Sequence, residues 1–344
     1  MKENEVLNEK GPIEPDIKIF VSHRIDLDSE TVENPIYYPV RCGAIYDRRE
    51  NVYMPGDNTG DNISERRMSF CEFTVQYWAW KNIEADYYGM CHYRRYLSFS
   101  EKQFKAREYL MVQAPFISPF YEKKFGLLDV ETMRNMITAH DVVVSEYAPV
   151  KTIPAPGGKQ KTVRELWEAH DGEFIDKEVI NVMFDLIDEL APEYSSSARE
   201  YFNGALHRGF NCFVMKKELF DRMCCFQFPI LFALEARLDT TGYTDTMKRT
   251  PGFVGEMLYG IFVYHISTYE EWNVGTRQMV YFAETKKLKG KIDTYLRFLR
   301  YYSVRFLKYA ISFILPPGSK QRRFIKQLIF KEGRKKENRR EKRE

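Results

Sequence analysis

Residues Asp86 to Tyr96 of this 344-residue chain have the sequence DYYGMCHYRRY, an apolar stretch that becomes polar at His92. The run from Tyr87 to Cys91 has the length and composition of a fully buried β-strand. Two arginines follow directly after the point where that strand ends. Because ligands in open α/β sheets bind outside the carboxyl ends of the strands, this stretch predicts both a central strand and a binding site at its end.

Segments on either side of this strand predict a complete α/β domain. Short apolar runs that indicate further strands lie at residues 17–22, 37–44, 141–146 and 211–215. Helical periodicity begins at Ser64, covers residues 163–191 and resumes from Lys217. Strands that alternate with helices in this way are typical of an α/β fold with a mostly parallel central sheet.

The charge of the chain is divided unevenly along its length. The 52 Lys and Arg and 49 Asp and Glu residues leave a formal net charge of +3. Residues 286–344 alone carry 20 basic and 5 acidic residues, so the tail has a net charge of +15 and the preceding 285 residues −12. We therefore expect a polar leader at residues 1–15, a compact domain at residues 16–285 and a basic tail at residues 286–344.

The basic tail has the pattern of an amphipathic helix over residues 294–315. Its cationic face and its apolar face are formed by Arg297, Arg300, Arg305 and Lys308, and by Leu299, Phe306 and Phe313. Pro316 and Pro317 end this helix, and we expect a second short helix and then a disordered, charged end after Lys331. This pattern suits the surface of an anionic membrane, and the alternative is packing on the acidic domain. Nucleic acid is not an expected partner, because no folded reader accompanies the charge.

Two further patterns favour a cytoplasmic protein that is peripheral to the membrane. The longest runs without Asp, Glu, Lys or Arg have 13 residues, fewer than the roughly 20 that a spanning helix needs. The six cysteines show neither CxxC pairing nor zinc spacing, which is typical of reduced thiols.

The segment His92–Tyr96 is a candidate phosphate site. Arg94 and Arg95 are adjacent and can present fixed N–H donors to phosphate oxygens, with His92 beside them. The alternative is that one arginine pairs with an acidic residue of the domain and the other is solvated.

Two other segments place polar groups next to predicted helices. The segment Gly60–Ser64 (GDNIS) leads into a helix, whose backbone N–H groups favour phosphate, and Asp61 is a candidate for a metal or a sugar hydroxyl. The alternative for this segment is a simple turn and helix cap. The segment Arg249–Glu256 (RTPGFVGE) presents Glu256 after a Gly-rich loop, either as a general base toward a sugar hydroxyl or as a stabiliser of the helix dipole.

Five blocks of the sequence together resemble one protein family. In chain order they are GDNIS, FCEFTVQYWAWKN from Phe70, DYYGMCHYRRYL from Asp86, NCFVMKKELFD from Asn211 and RTPGFVGEMLYG from Arg249. The chain resembles, over residues 17–270, the bacterial glycosyltransferases of capsule, exopolysaccharide and O-antigen clusters that were long labelled a domain of unknown function. Mild departures from the family pattern occur at Cys212, Val214 and Phe73.

The resemblance implies a GT-A-like, nucleotide-sugar-binding catalytic domain at residues 16–285. Some family members are assigned as galactofuranosyltransferases. The implied reaction moves a sugar, galactose or galactofuranose, from a nucleotide-diphosphate donor to a lipid-linked oligosaccharide at the inner face of the cell membrane, in surface polysaccharide biosynthesis and with inversion. The alternative is a non-catalytic protein that binds carbohydrate or a membrane surface.

Within this reaction the candidate residues take specific roles. Arg94 and Arg95 would stabilise the departing diphosphate and Glu256 would be the general base. The residues expected to bind the donor are His23, Asp61, Asn62, His92 and Arg249. A divalent metal, Mg²⁺ or Mn²⁺, remains open, with Asp61 as its candidate ligand. The pair Asp26 and Asp28 resembles the DxD of many glycosyltransferases, but it follows the first strand, where contact with a base or ribose is expected instead.

Overall fold

The computed structural model describes residues 14–107 and 110–314 of the chain. Most of the expected leader, the expected second tail helix and the charged end lie outside these residues. The described chain forms two compact units that meet in sequence between Lys287 and Leu288. The first unit contains all of the strands, and the second contains one long helix.

The first unit is built on a nine-stranded sheet with a small two-stranded sheet beside it, within the described residues. The strands are β1 (Ile17–Arg24), β2 (Tyr37–Cys42), β3 (Tyr87–His92), β4 (Arg95–Leu97), β5 (Met111–Phe116), β6 (Val142–Ser145), β7 (Ala148–Pro149), β8 (Leu206–His207), β9 (Phe213–Lys216), β10 (Val274–Arg277) and β11 (Met279–Glu284). Strands β7 and β8 form the small sheet.

The large sheet is mostly parallel, as the sequence predicts. Strand β1 lies between β2 and β3 and is parallel to both. Strands β4 and β9 are antiparallel to β3. Strand β11 is antiparallel to β4, and β6 is antiparallel to β9. Strands β10 and β5 run parallel to β6 and β11. All strands of this sheet except β4 and β9 therefore point the same way, and their carboxyl ends share one edge.

Helices cover the sheet and connect its strands. They are α1 (Arg67–Phe70), α2 (Phe73–Asn82), α3 (Pro119–Lys124), α4 (Val130–Thr138), α5 (Val163–Glu168), α6 (Val179–Leu190), α7 (Ser195–Asn203), α8 (Lys217–Arg237), α9 (Thr250–Thr268) and α10 (Lys291–Ile314). The single helix predicted over residues 163–191 is two helices, α5 and α6, because a turn interrupts the periodic pattern at residues 169–178.

The helix predicted from Ser64 is also divided, at Cys71. This residue has φ 53° and ψ −130°, a conformation that no continuous α-helix contains, so α1 ends there and α2 begins at Phe73. Left-handed φ values of non-glycine residues cost free energy and concentrate at functional sites. The break turns Cys71 and Glu72 toward the first turns of α9.

Helix α9 lies unusually close to this break. A Cβ atom on Gly255 would stand 2.5 Å from the ring of Phe73, so only glycine permits the two helices to approach this far. The helix is almost entirely buried and packs against α8, α7 and α1. The glycine in the sequence VGE therefore sets the position of the next residue, Glu256.

The second unit contains α10, which begins three residues before the predicted helix. Its apolar side chains are largely exposed within the described part of the chain, with Ile292 79% and Phe306 73% accessible. Arg297 pairs with Asp293 at 2.9 Å, one turn earlier in the helix. Among the described residues, no helix is long and apolar enough to cross a membrane.

Candidate functional site

Polar residues converge where the parallel strands end. Strand β1 ends in His23 and Arg24, and β3 ends in His92, which lies opposite Ser22 of β1 and Arg95 of β4. The hairpin between β3 and β4 consists of Tyr93 and Arg94. We call this side of the sheet the carboxyl edge.

Arg94 of the hairpin and Arg95 of β4 have no carboxylate partner among the described residues. Arg94 donates from Nη1 to the hydroxyl of Tyr281 at 2.9 Å, and its guanidinium also lies 5.1 Å from the ring centre of Tyr93. Arg95 packs over the ring of Phe210 at 4.5 Å. The Nε atoms of both arginines are buried and lack an acceptor. The expected alternative, an arginine paired with an acid, is therefore not what the structure shows.

Both histidines at this edge are held in the neutral form. Burial lowers the pKa of His23 to about 4, and its Nδ1 lies 2.7 Å from the hydroxyl of Ser29. Burial and the charges of Arg95 and Arg94 lower the pKa of His92 well below its usual value. His23 Nε2 and His92 Nδ1 are buried without a hydrogen-bond partner. Each ring can therefore donate or accept one hydrogen bond from a ligand without carrying charge.

Glu256 faces the same edge from α9. The helix begins at Thr250, so Glu256 lies in its second turn and not in the first, where a helix-dipole role is expected. Its Oε2 accepts the backbone N–H of Phe210 at 3.1 Å. Burial and the nearby charge of Glu72 raise the pKa of Glu256 to about 7, against the opposing effect of Arg95. A carboxylate with this pKa is half-deprotonated near neutral pH, as a general base requires.

A second carboxylate at this edge, that of Glu72, has no role in the expectations drawn from the sequence. Glu72 follows the break at Cys71, and its charge acts on Glu256 through space. Arg249 donates from Nε to the sulfur of Cys71 at 3.0 Å and lies over the ring of Phe253 at 5.3 Å. The expected donor-binding residue Arg249 thus stands beside Glu72 and Glu256. The signal that could have singled out Glu72 is its place in the dense block that starts at Phe70.

The loop before β9 also has no role in the expectations drawn from the sequence. It contains Arg208, which is 2% exposed, and Phe210 and Asn211, which have φ values of 72° and 42°. Arg208 donates from Nε to the carbonyl oxygen of Ser145, the last residue of β6. Sequence reasoning did not find this residue because it stands alone in a loop, outside any periodic pattern.

Asp61 and Asn62 are not brought to the carboxyl edge. Asp61 accepts the hydroxyl of Tyr77 at 3.1 Å, and its N–H donates to the side chain of Asn82 at 3.0 Å. Asn82 ends α2 just before β3 starts, so this loop lies at the amino ends of the strands. Along the axis of α2, Thr74 at the other end of the helix lies about 12 Å from Asn82. The side chain of Asn62 bonds within its own turn, donating to Gly60 O and accepting from Ser64 N. The geometry matches the turn alternative.

The described residues contain no preformed cluster of side chains for a divalent metal. No group of three or more His, Cys, Asp or Glu side chains among them is arranged to hold one. Asp26 is occupied by ion pairs with Arg24 and with Arg67, the latter at 2.9 Å, and Asp28 is exposed. We therefore derive no catalytic step through a metal.

Comparison with known proteins identifies the family. The family described as "Domain of unknown function (DUF4422)" matches residues 18–267, more than half of the chain, and the chain belongs to it. No curated protein matches the chain. The family resemblance drawn from the five sequence blocks is confirmed.

A solved structure supports the fold. The apo structure of the bifunctional glycosyltransferase WbbM matches with a TM-score of 0.71 and 31% sequence identity, over 78% of this chain and 45% of that one. The chain thus spans less than half the length of that protein. The expected α/β fold of a glycosyltransferase, with a mostly parallel sheet, is confirmed.

Proposed function

We propose that this member of the DUF4422 family is a glycosyltransferase that moves a sugar from a nucleotide-diphosphate donor to a saccharide acceptor. One observation carries the proposal: unpartnered arginine and histidine nitrogens lie at the carboxyl edge, where Arg95 also acts on Glu256, a carboxylate of raised pKa. Buried polar atoms without partners are rare in folded proteins, and a cluster of them indicates a bound ligand. The similarity to a glycosyltransferase structure supports the same reaction class.

Arg94 and Arg95 take the diphosphate in this proposal. When the sugar leaves, negative charge develops on the diphosphate oxygens, and fixed guanidinium groups stabilise it. Both side chains are preorganised, Arg94 by Tyr281 and Arg95 by Phe210, so little reorganisation is needed at the moment of reaction. Loss of one such donor typically costs about 3–4 kcal/mol of transition-state stabilisation.

His23 and His92 take neutral parts of the donor. Because both rings are uncharged at neutral pH, they suit hydroxyl and amide groups of the nucleoside better than a second phosphate. Arg249 completes the donor side from the start of α9, next to Glu72. Asp61 and Asn62, expected as donor ligands, lie at the other end of the strands and have no role in this proposal.

Glu256 is the general base. It removes the proton from the acceptor hydroxyl as that oxygen attacks the anomeric carbon, and the bond to the diphosphate breaks. A single displacement of this kind inverts the anomeric configuration. The N–H of Phe210 orients the carboxylate. General base catalysis typically contributes about 10²–10⁴-fold.

A nucleotide-sugar panel tests the reaction class. The protein is incubated with uridine, guanosine, cytidine and thymidine diphosphate sugars together with a saccharide acceptor, with and without a chelator, and nucleotide release is measured. We expect release from one donor, above the background of the E256Q variant. Binding of a donor without release by the native protein would favour the alternative, a carbohydrate-binding protein without catalysis.

The acceptor is a lipid-linked oligosaccharide at the inner face of the cell membrane in this proposal, and α10 holds the enzyme there. Exposed aromatic and aliphatic side chains and exposed Arg300 suit the interface of an anionic bilayer. The donor sugar, galactose or galactofuranose, rests on the family resemblance alone.

Vesicle binding tests the membrane role of α10. We expect the full chain to bind phosphatidylglycerol vesicles and a chain that ends at Thr285 to lose this binding. R300E exchanges one positive for one negative charge, so it should weaken binding of the full chain roughly 10- to 30-fold at about 1 kcal/mol per charge. Equal binding by all three proteins would contradict the proposal.

A further inference from the structure

Arg208 is a buried cation without a counterion. Among the described residues, no carboxylate forms an ion pair with it. Its Nε donates to Ser145 O at 2.8 Å, its guanidinium stacks on the ring of Tyr147 at 3.6 Å, and its Nη1 is buried without an acceptor. Only 2% of the residue is exposed. An uncompensated buried charge costs several kcal/mol of stability, and a bound anion would recover part of that cost.

The loop around Arg208 is also built under strain. Phe210 and Asn211 both have left-handed φ values, which non-glycine residues adopt only when their surroundings impose them. The side chain of Asn211 donates to Gln76, yet its Oδ1 is buried and accepts nothing. Two unpartnered polar groups therefore lie in one short loop, which we define as residues 207–211.

Gly209 lets this loop pack closely against His207 and Glu256. A Cβ atom there would stand 2.8 Å from Nε2 of His207 and 3.5 Å from Oε2 of Glu256. A larger residue would collide with His207 and press on the proposed base. The loop thus borders the position where the acceptor hydroxyl is activated.

Arg208 and the proposed diphosphate site lie at the ends of different strands, although Phe210 of the same loop packs under Arg95. Ser145 ends β6, and β6 is two strands away from β3, with only β9 between them. At about 4.8 Å per strand, the end of β6 is about 10 Å from the end of β3. A saccharide whose hydroxyl meets Glu256 borders this loop, because the backbone N–H of Phe210 donates to Glu256.

We propose that Arg208 and loop 207–211 form a second oxyanion subsite, which binds an acidic group of the acceptor saccharide. The group is a carboxylate, as in a uronic acid, or a phosphate on the sugar, since a guanidinium fork binds both. The acceptor is then an acidic saccharide, and Arg208 fixes which of its hydroxyls meets Glu256. This inference rests on the proposed function, because it identifies the class of acceptor for that reaction.

Ligand binding to the intact chain tests the subsite without any transfer reaction. Glucuronic acid, glucose 6-phosphate, neutral glucose and inorganic pyrophosphate are titrated and followed by ligand-detected NMR. We expect the native protein to bind at least one of the two acidic sugars at least tenfold more tightly than glucose. The sugar that binds better distinguishes carboxylate from phosphate.

Substitution of Arg208 locates the binding. We expect R208Q to abolish the preference for the acidic sugar and R208K to retain part of it, while both keep pyrophosphate affinity within about twofold. R94M should show the opposite pattern, with weaker pyrophosphate binding and an unchanged preference for the acidic sugar. Thermal unfolding of each variant shows whether it is folded.

Two results overturn the inference. If the native protein binds neither acidic sugar better than glucose, Arg208 has no acidic ligand of this class, whatever the variants do. If R208Q weakens pyrophosphate binding as much as R94M does, Arg208 belongs to the diphosphate site. A protein that prefers acidic sugars through Arg208 but releases no nucleotide from any donor would refute the proposed function and leave the subsite standing.

Discussion

The two ends of the central sheet differ in how many of their polar side chains have partners. At the amino ends of the strands, charges are paired: Lys216 with Asp141 and Lys217 with Glu84, each at 2.5 Å, and Lys18 with Asp16. At the carboxyl edge the side-chain nitrogens of several cationic or titratable residues are buried without partners, and these residues are His23, His92, Arg94, Arg95 and Arg208. Both ends carry cationic side chains, so the presence of positive charge alone does not explain the difference.

The difference distinguishes polar side chains that stabilise the fold from polar side chains that are available to bind a ligand. Exposed ion pairs such as those at the amino ends contribute about 0–1 kcal/mol each and need nothing further. Unpartnered buried donors cost stability, and a ligand that accepts from them recovers it. The carboxyl edge is therefore the place where the protein gains most from binding an anion.

The largest expected effect comes from removing the base at the carboxyl edge. E256Q should lower sugar transfer about 10²–10⁴-fold, measured as nucleotide release under saturating donor. The matched control is E122Q, because burial also raises the pKa of Glu122 to about 7, beside Glu30 and Glu33 instead of arginines. E122Q should keep transfer within about twofold, and equal losses in both variants would refute a specific role for Glu256.

The same substitution should not destabilise the fold at alkaline pH. In the folded protein Glu256 holds its proton up to about pH 7, whereas in the unfolded chain a glutamate releases it near its ordinary pKa of 4.5. The native state therefore loses stability as pH rises from about 4.5 to 7, by up to roughly 3 kcal/mol. E256Q should unfold at an equal or higher temperature than the native protein at pH 8, and a clear drop would show that the carboxylate is structural.

Removal of one edge arginine should have the next largest effect. R94M or R95M should lower kcat about 10²–10³-fold, since each removes a fixed donor to the leaving group. R199M is the control, because Arg199 forms an exposed ion pair with Asp188 at 2.6 Å and has no part in the proposed site. If R199M reduces kcat as strongly, the loss does not report on the diphosphate.

The charge of Glu72 should appear in the pH profile. Transfer should fall on the acid side with an apparent pKa near 7, since Glu256 must be deprotonated to act. E72Q removes a negative neighbour, so this acid limb should move to lower pH, whereas R95M should move it to higher pH. If the acid side of the pH profile has the same apparent pKa in the native protein and in E72Q, Glu72 and Glu256 are not coupled.

The smallest effect is expected at the amino ends. D61N keeps an acceptor for Tyr77 and leaves the backbone bond to Asn82 intact, so transfer should change by less than about twofold. The steady-state rate at limiting donor checks this. A loss comparable to that of R94M would restore the expectation that Asp61 binds the donor or a metal.

Strand pattern predicted the main part of the sheet and half of the site. The stretch from Asp86 predicts the position of its arginines by itself, because an apolar run followed by arginines places those arginines at a strand end. The segment Gly60–Ser64 contains no such evidence. A loop can carry a polar segment to either edge, and the hydrogen bonds to Tyr77 and Asn82 that fix its place join residues 16 to 21 positions apart.

Other features depended on contacts between distant residues. The helix break at Cys71 follows the close approach of α9, which places Cys71 beside Arg249. Arg208 becomes notable only because the fold buries it against Tyr147 and Ser145 and supplies no carboxylate. Neither burial nor the absence of a partner can be read from a single arginine in a loop.

The most direct test of the account is the affinity for nucleoside diphosphates of the native chain, R95M and D61N. A panel of uridine, guanosine, cytidine and thymidine diphosphates is titrated by calorimetry at neutral pH and fixed ionic strength. We expect the native protein to bind one of them, R95M to bind it at least tenfold more weakly, and D61N to bind it within twofold of the native protein. Weak binding by D61N together with native-like binding by R95M would place the donor at the amino ends of the strands and contradict the account.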